Sequence, residues 1–247
     1  MLAALLRSAY HASFRAALPL RCAISDLRFH QADLPPSRMR FRVSESLSVP
    51  EFLNVGERCS WMIDVEGARR VLDFGCGCGR TLRWLLQNEA IQFYGVDVDR
   101  EAIEWCAQHY PQAKFAATNP EPPLPFPHVF FDVVYCLSVF THLNEPMQDA
   151  WLAELHRILA PGGLLMLSVH GSRAAAGLKP EIGAELAQNG FVHKRSRKLK
   201  GILPDWYHTT LHTPEYIERR LTERGFDRVT YEVIEDGIQD VVTARRV

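Results

Sequence analysis

Residues 71–79 read Val71-Leu72-Asp73-Phe74-Gly75-Cys76-Gly77-Cys78-Gly79. Two apolar residues lead into an acid, and glycine then takes every second position. Glycine serves where the backbone needs unusual φ/ψ values or where another group must approach closely. The stretch therefore reads as a strand ending in a loop pressed against a ligand.

Outward from this loop the pattern alternates. Residues 70–74 read as a strand and 80–88 as a helix, with Leu82, Leu85 and Leu86 on one side. Residues 92–96 form a second strand that ends at Asp97, and 100–109 a helix stopped before Pro111. A third strand covers 113–117. Prolines at 120, 122, 123, 125 and 127 exclude regular structure from the next loop. Residues 129–136 and 164–169 read as buried strands. Between them lie a helix over 146–159, opened by Pro146, and a Pro161-Gly162-Gly163 turn. Strands alternating with helices imply a parallel sheet with right-handed crossovers. The continuous apolar strands agree, because parallel strands are covered on both faces. Farther on come a helix over 214–224 and closing strands over 228–234 and 240–244.

The chain has 247 residues, 47% hydrophobic and 23% charged, which suits one α/β domain with an appendage. A net charge of −1 gives no overall field to hold nucleic acid or an anionic membrane, although a local patch can. Six scattered cysteines in a chain of this length point to a reducing, cytoplasmic setting. Cys76-x-Cys78 lacks the two-residue spacing of zinc and redox pairs, so no metal site is expected. No apolar run approaches the ~20 residues of a membrane span. Residues 1–25 carry Arg7, Arg15 and Arg21 and no acid, with Leu2, Leu5, Leu6, Tyr10, Phe14 and Leu18 near helical spacing. Such a start reads as a peripheral surface helix, or alternatively as a transit segment; it lacks the apolar region of a secretory signal. The expected division is 1–38 for this helix and its linker and 39–247 for the main domain, with 39–66 a helical lead-in.

In open α/β sheets, ligands bind beyond the carboxyl ends of the strands, where the glycine loop sits. The following helix is expected to aim its N-terminal amides and dipole into the same space. A dinucleotide site asks for G-x-G-x-x-G, but Arg80 stands at the third glycine position. Asp73 carries the wrong charge for a pyrophosphate and suits an ammonium. Asp97 can accept both hydroxyls of a ribose. The set asks for a nucleoside with a cationic, phosphate-free tail, which S-adenosylmethionine provides.

The chain resembles the class I S-adenosylmethionine-dependent methyltransferases. The resemblance rests on residues 71–79, on Tyr94-Gly95-Val96-Asp97, on Phe131-Asp132-Val133-Val134 and on Leu159-Ala160-Pro161-Gly162-Gly163-Leu164-Leu165. It covers about residues 50–170. It implies a doubly wound, mostly parallel seven-stranded sheet with helices on both faces and an antiparallel C-terminal strand. It also implies that Gly75, Cys76, Gly77 and Gly79 pack under the methionine part, with Asp73 placing its amino end. Asp97 would take the ribose, and Val98 and Leu137 would pack on the cofactor. Asn119 stands where the family often has an acid for the adenine amine, and its amide oxygen can still accept. S-adenosylhomocysteine would be the product. Residues 52–56 either fold over the cofactor or form a packing turn, and Arg80 either reaches its carboxylate or simply starts a helix.

In methyl transfer the cofactor carries the reactivity and the protein supplies position and a dry site. An oxygen or nitrogen nucleophile also needs a base. His142 and His170, just past the fourth and fifth strands, are the candidates. Ser138 and the cluster Trp206, Tyr207 and His208 are expected on the substrate side, the latter in an inserted loop, 193–212, that forms a lid. Asn119-Pro120-Glu121-Pro122-Pro123 is superficially similar to the motif of base-amine methyltransferases, but it follows the wrong strand and lacks the aromatic residue, so DNA is not an expected partner. The expected activity is methylation of a small-molecule acceptor, on oxygen rather than nitrogen. The alternatives are an RNA methyltransferase using the basic run 193–200, and a non-catalytic cofactor-binding module. The sequence does not give the oligomeric state.

Overall fold

The computed structural model describes residues 2–29, 33–176, 178–195, 201–235, 237 and 239–247. Three helices precede the sheet: α1 (Leu2–Arg28), α2 (Ser37–Ser44) and α3 (Val49–Trp61). The alternating part follows as β1 (Arg70–Phe74), α4 (Leu82–Leu85), β2 (Gln92–Asp97), α5 (Arg100–His109) and β3 (Ala113–Ala117). It continues with β4 (Phe131–Cys136), α6 (Glu145–Ile158) and β5 (Leu159–Val169). An excursion, α7 (Ser172–Ala176), α8 (Pro180–Asn189), β6 (Phe191–Lys194) and β7 (Thr209–His212), leads to α9 (Pro214–Glu223), β8 (Phe226–Glu232) and β9 (Asp240–Arg246). Among the described residues, no helix is long and apolar enough to cross a membrane.

The main sheet has seven strands in the order β3-β2-β1-β4-β5-β9-β8, parallel except at β9, which runs antiparallel to both neighbours. This is the doubly wound architecture expected from the sequence. Side chains alternate between its two faces. Leu72, Phe74, Val134, Cys136, Leu165 and Leu167 enter one buried cluster. Val71, Val133, Tyr135, Leu164 and Met166 enter the other, beneath α3 and α5.

The helices start where their caps dictate. Asp99 accepts from the amide of Ala102 at 3.2 Å to open α5, and Asn144 accepts from Met147 at 3.0 Å to open α6. Each such cap stabilises its helix by ~1 kcal/mol.

Three expectations need correction. The helix over 80–88 contracts to the four residues of α4, flanked by tight i→i+3 bonds such as Trp84 N to Thr81 O at 3.1 Å. So short a helix sums little dipole, and the expected anion-favouring helix end is not there. The Pro161-Gly162-Gly163 turn is instead a bulge within β5, whose register with β4 jumps from Phe131↔Leu159 to Val133↔Leu164. The inserted loop is bounded by a two-stranded antiparallel sheet, β6 with β7. Residues 196–200 of the basic run lie outside the described residues.

Candidate active site

The order in which strands are added reverses at β1, with β2 and β3 on one side and β4 and β5 on the other, all parallel. Beyond their carboxyl ends the sheet opens into a cleft of about 730 Å³, the place where this architecture binds ligands.

The floor is largely main chain. Gly75 and Cys76 donate their amides to the carbonyl of Val96, at 2.8 and 3.1 Å, folding the loop back onto β2. Gly75 (φ 83°) and Gly77 (φ 51°) are left-handed. A Cβ on Gly75 would stand 2.3 Å from Cγ2 of Val139, and one on Gly77 2.6 Å from Cγ2 of Val43. Both glycines are thus required by conformation and by space.

Asp97 is fixed by this loop. Its Oδ2 accepts from Gly77 N at 2.7 Å and its Oδ1 from Asp99 N at 2.8 Å. Burial raises its pKa, opposed by these amides. A carboxylate has about four acceptor sites, so two remain for a ligand.

Asp73 is 4% exposed and lines the same cleft. It sits in register with Tyr135, whose hydroxyl lies beside it outside hydrogen-bond geometry. Burial pushes the Asp73 carboxyl up to about 8; the Tyr135 hydroxyl opposes this and the charge of Asp97 adds to it. Among the described residues no cation pairs with Asp73. Arg80 lines the cleft too, half-buried, with its Nε buried and without a hydrogen-bond partner.

The roof comes from elsewhere. α2 lays Arg42 and Val43 against the cleft. Arg42 Nε donates to Asp99 at 2.6 Å and its terminal nitrogen to Glu101 at 2.8 Å, and Arg38 also pairs with Glu101. Ile202, Leu203, Pro204, Trp206 and Tyr207 close the other side. The candidate cover, 52–56, is instead part of α3: Phe52 is buried in the core and Gly56 packs on the carbonyl of Arg80.

Also lining the cleft, His142 stacks on Tyr207 with ring centroids 3.6 Å apart. Its Nδ1 lies 2.6 Å from the carbonyl of His208. A carbonyl only accepts, so Nδ1 carries the hydrogen and Nε2 keeps its lone pair. Burial lowers the pKa of this imidazole to about 4, opposed by the His208 carbonyl and assisted by His170 and His193. β7 holds the loop in place, Thr210 N donating to Thr141 O and His212 N to His170 O, both at 2.8 Å. Ser138 adopts φ 61° and is locked by Gln239, whose Nε2 donates to its Oγ at 2.8 Å, while Ser138 N donates to Ser168 Oγ at 2.7 Å.

The cleft thus gathers Asp73, Gly75, Cys76, Gly77, Asp97 and Val98 with Asn119, Leu137, Ser138, His142, Trp206 and Tyr207. Three of the residues singled out in the sequence do not line it. Gly79 turns beneath the loop against Tyr110 and Cys106. His170 stands behind His142, edge-on at 6.2 Å, with Nδ1 3.1 Å from Thr210 O. His208 offers its carbonyl to His142, and its ring lies 5.3 Å from that of His193. Arg42, Asp99, Leu203 and Gln239 escaped the sequence reading.

Fold and cleft together define a nucleoside-binding α/β domain. S-adenosylmethionine fits the residues present: a buried carboxylate with no paired cation among the described residues for its ammonium, free acceptor sites on Asp97 for its ribose, and a glycine floor that no side chain could share. Residues 71–163 match a family described as a methyltransferase domain. Among curated relatives, the phthiotriol/phenolphthiotriol dimycocerosates methyltransferase 1 of Mycobacterium ulcerans is 30% identical over 146 residues, covering 58% of this chain and 52% of that one. The fatty-acid O-methyltransferase of Mycolicibacterium smegmatis is 34% identical over 106 residues, 42% and 37% of the two chains. The tRNA N(3)-cytidine methyltransferase METTL2 of Xenopus tropicalis is 27% identical over 133 residues, 50% and 40% of the two. The chain thus aligns with about half or less of each relative's length. Human N-acetylserotonin methyltransferase, solved in complex with S-adenosylmethionine, shares the fold with a TM-score of 0.54 at 15% identity, over 86% of this chain and 60% of that one. Residues 71–163 thus match the methyltransferase-domain family, within a fold shared with S-adenosylmethionine-dependent methyltransferases.

Proposed function

We propose that the chain methylates an oxygen of a small, largely apolar acceptor, with His142 as the general base. The observation that carries this is the tautomer of His142: Nδ1–H is spent on the His208 carbonyl, leaving the Nε2 lone pair on a ring that lines the cleft. With its pKa near 4 the imidazole is neutral at pH 7 and a weak base. Weak basicity matches a phenol better than an aliphatic alcohol, and a carboxylic acid, already ionised at pH 7, would need His142 for position rather than as a base. Leu143, Leu203, Trp206 and Tyr207 supply apolar walls.

When bound, S-adenosylmethionine supplies an electrophilic methyl group on its sulfonium. In this reading Asp73 and Arg80 hold the amino-acid end, Asp97 the ribose, and Val98, Asn119 and Leu137 the adenine side. Ser138 and the stacked pair His142–Tyr207 position the acceptor, whose proton passes to Nε2 of His142. His170 and His208 set the orientation of His142 rather than touching substrate. The fatty-acid O-methyltransferase relative supports an apolar oxygen acceptor. The six free cysteines support a reducing, cytoplasmic location.

The test is release of S-adenosylhomocysteine across a panel of carboxylic acids and phenols, beside amines of matched shape. Turnover confined to the amines would exclude the oxygen reading. A second reading, RNA methylation, draws on the METTL2 relative and on Lys194 and Arg195 at the head of the basic run. It requires RNA binding that weakens steeply with salt.

A further inference from the structure

We infer that the outer face of α1 is a docking surface for an anionic lipid leaflet. Leu20, Ile24 and Leu27 are 67%, 52% and 86% exposed. Their spacing of four and three residues puts them in one stripe along the helix. The opposite face is occupied: Leu18 and Cys22 are buried against Phe41 of α2. Arg21 and Arg28 are exposed beside the stripe, and the Arg21 guanidinium lies 5.3 Å over the ring of Phe14. Asp26 is the one acid between residues 12 and 29, and its Oδ1 is turned inward to accept from Ser37 N at 2.7 Å.

An apolar stripe edged by cations is the pattern of a helix that lies in the membrane interface. Phosphate headgroups complement Arg21 and Arg28. A second copy does so less well: a two-fold helix pair would set the same arginines against each other, and the one nearby acid, Asp26, commits an oxygen to Ser37 and lies on the other side of the helix. The chain's net charge of −1 makes this cationic edge a local feature.

The position of α1 gives the surface a use. Its buried face packs, through Leu18 and Phe41, on Ile202 and Leu203, which line the cleft. A docked α1 brings that apolar wall within about one helix diameter, ~10 Å, of the leaflet. An acceptor dissolved in the membrane then reaches the cleft along a continuous apolar path. The docking itself does not depend on which acceptor is methylated.

The test is flotation of the full chain with vesicles of phosphatidylcholine alone and with added phosphatidylglycerol. Binding is expected only to the anionic vesicles, weakening with salt. Arg21→Glu and Arg28→Glu should each weaken it at least about fivefold. The triple variant Leu20→Ser/Ile24→Ser/Leu27→Ser should abolish it. An undiminished rise in melting temperature with S-adenosylmethionine shows that these variants keep a folded cleft. Equal binding to the neutral vesicles, or binding that survives the triple variant, overturns the inference. So does a concentration-dependent dimer in sedimentation velocity that the triple variant abolishes while no vesicle binding is seen; the face would then belong to a second copy.

Discussion

The floor of the cleft lies within residues 71–97, where one loop and two carboxylates are fixed by short main-chain bonds. The roof joins Arg42 and Val43 of α2 to residues 202–207 of the excursion, and Arg42 holds α2 down by ion pairs with Asp99 and Glu101. The floor is set by backbone geometry that every copy must adopt on folding. The roof is set by side-chain contacts between distant segments, the kind of contact that opens at low cost. In the proposed function the rigid half would hold the cofactor and the yielding half would control access to it.

The largest effect separates chemistry from binding. His142→Ala should cut turnover by about 10²–10⁴ while cofactor affinity by calorimetry stays unchanged. If affinity falls in step with turnover, His142 belongs to the floor and is not the base. Next, Asp97→Ala should weaken cofactor binding about a hundredfold, the loss of two hydrogen bonds to a charged acceptor at ~1.5 kcal/mol each. Unchanged affinity would remove Asp97 from the ribose site.

Asp73 gives the floor a pH signature. In the proposed function its ionised form would hold the ammonium of the cofactor, and burial pushes its carboxyl up to about 8 in the folded chain. Affinity for S-adenosylmethionine should rise by up to about tenfold per unit as pH climbs toward 8, then level off. The sign for stability is opposite. With the folded pKa raised to about 8, above the ordinary carboxylate range, the folded chain holds the extra proton, so stability from this group falls as pH rises from about 4 to 8. Asp73→Asn should flatten both dependences, and a slope that persists in this variant points to another group.

Two smaller effects probe where the roof meets the floor. Gly77→Ala forces a side chain into φ 51° and against Val43, and should cost at least about 1–2 kcal/mol in denaturant titration. Pairing it with Val43→Ala should recover the part due to contact; no recovery would mean that α2 does not rest on the loop. Arg42→Ala should weaken cofactor binding by no more than about fivefold, less so at high salt. A larger loss would make the roof a binding element rather than a cover.

The same contrast decides what could be read from the chain. Helix 100–109 and strand 113–117 coincide with α5 and β3, because their signals, the stop before Pro111 and a short apolar run, are local. Asp73 and Asp97 were legible for the same reason. The excursion was not: α7, α8, β6 and β7 carry no strong periodicity and are held by β7's bonds to the ends of β4 and β5. The contraction of α4 depends on tight turns at both its ends. The roof had one faint signal. Arg38 and Arg42, four apart on a helix, face Asp99 and Glu101, two apart after β2, yet nothing local says that these pairs meet.

Gln239 and β9 carry a consequence for the order of synthesis. β9 fills the slot between β5 and β8, and Gln239 just before it locks Ser138. Both leave the ribosome long after the glycine loop, on the order of ten seconds after residue 170 at common elongation rates. During that interval β5 presents an open edge, a template for wrong pairing. In the proposed function the newborn chain would carry its cofactor residues before its acceptor site is finished, and a tightly bound cofactor would brace it while β9 arrives.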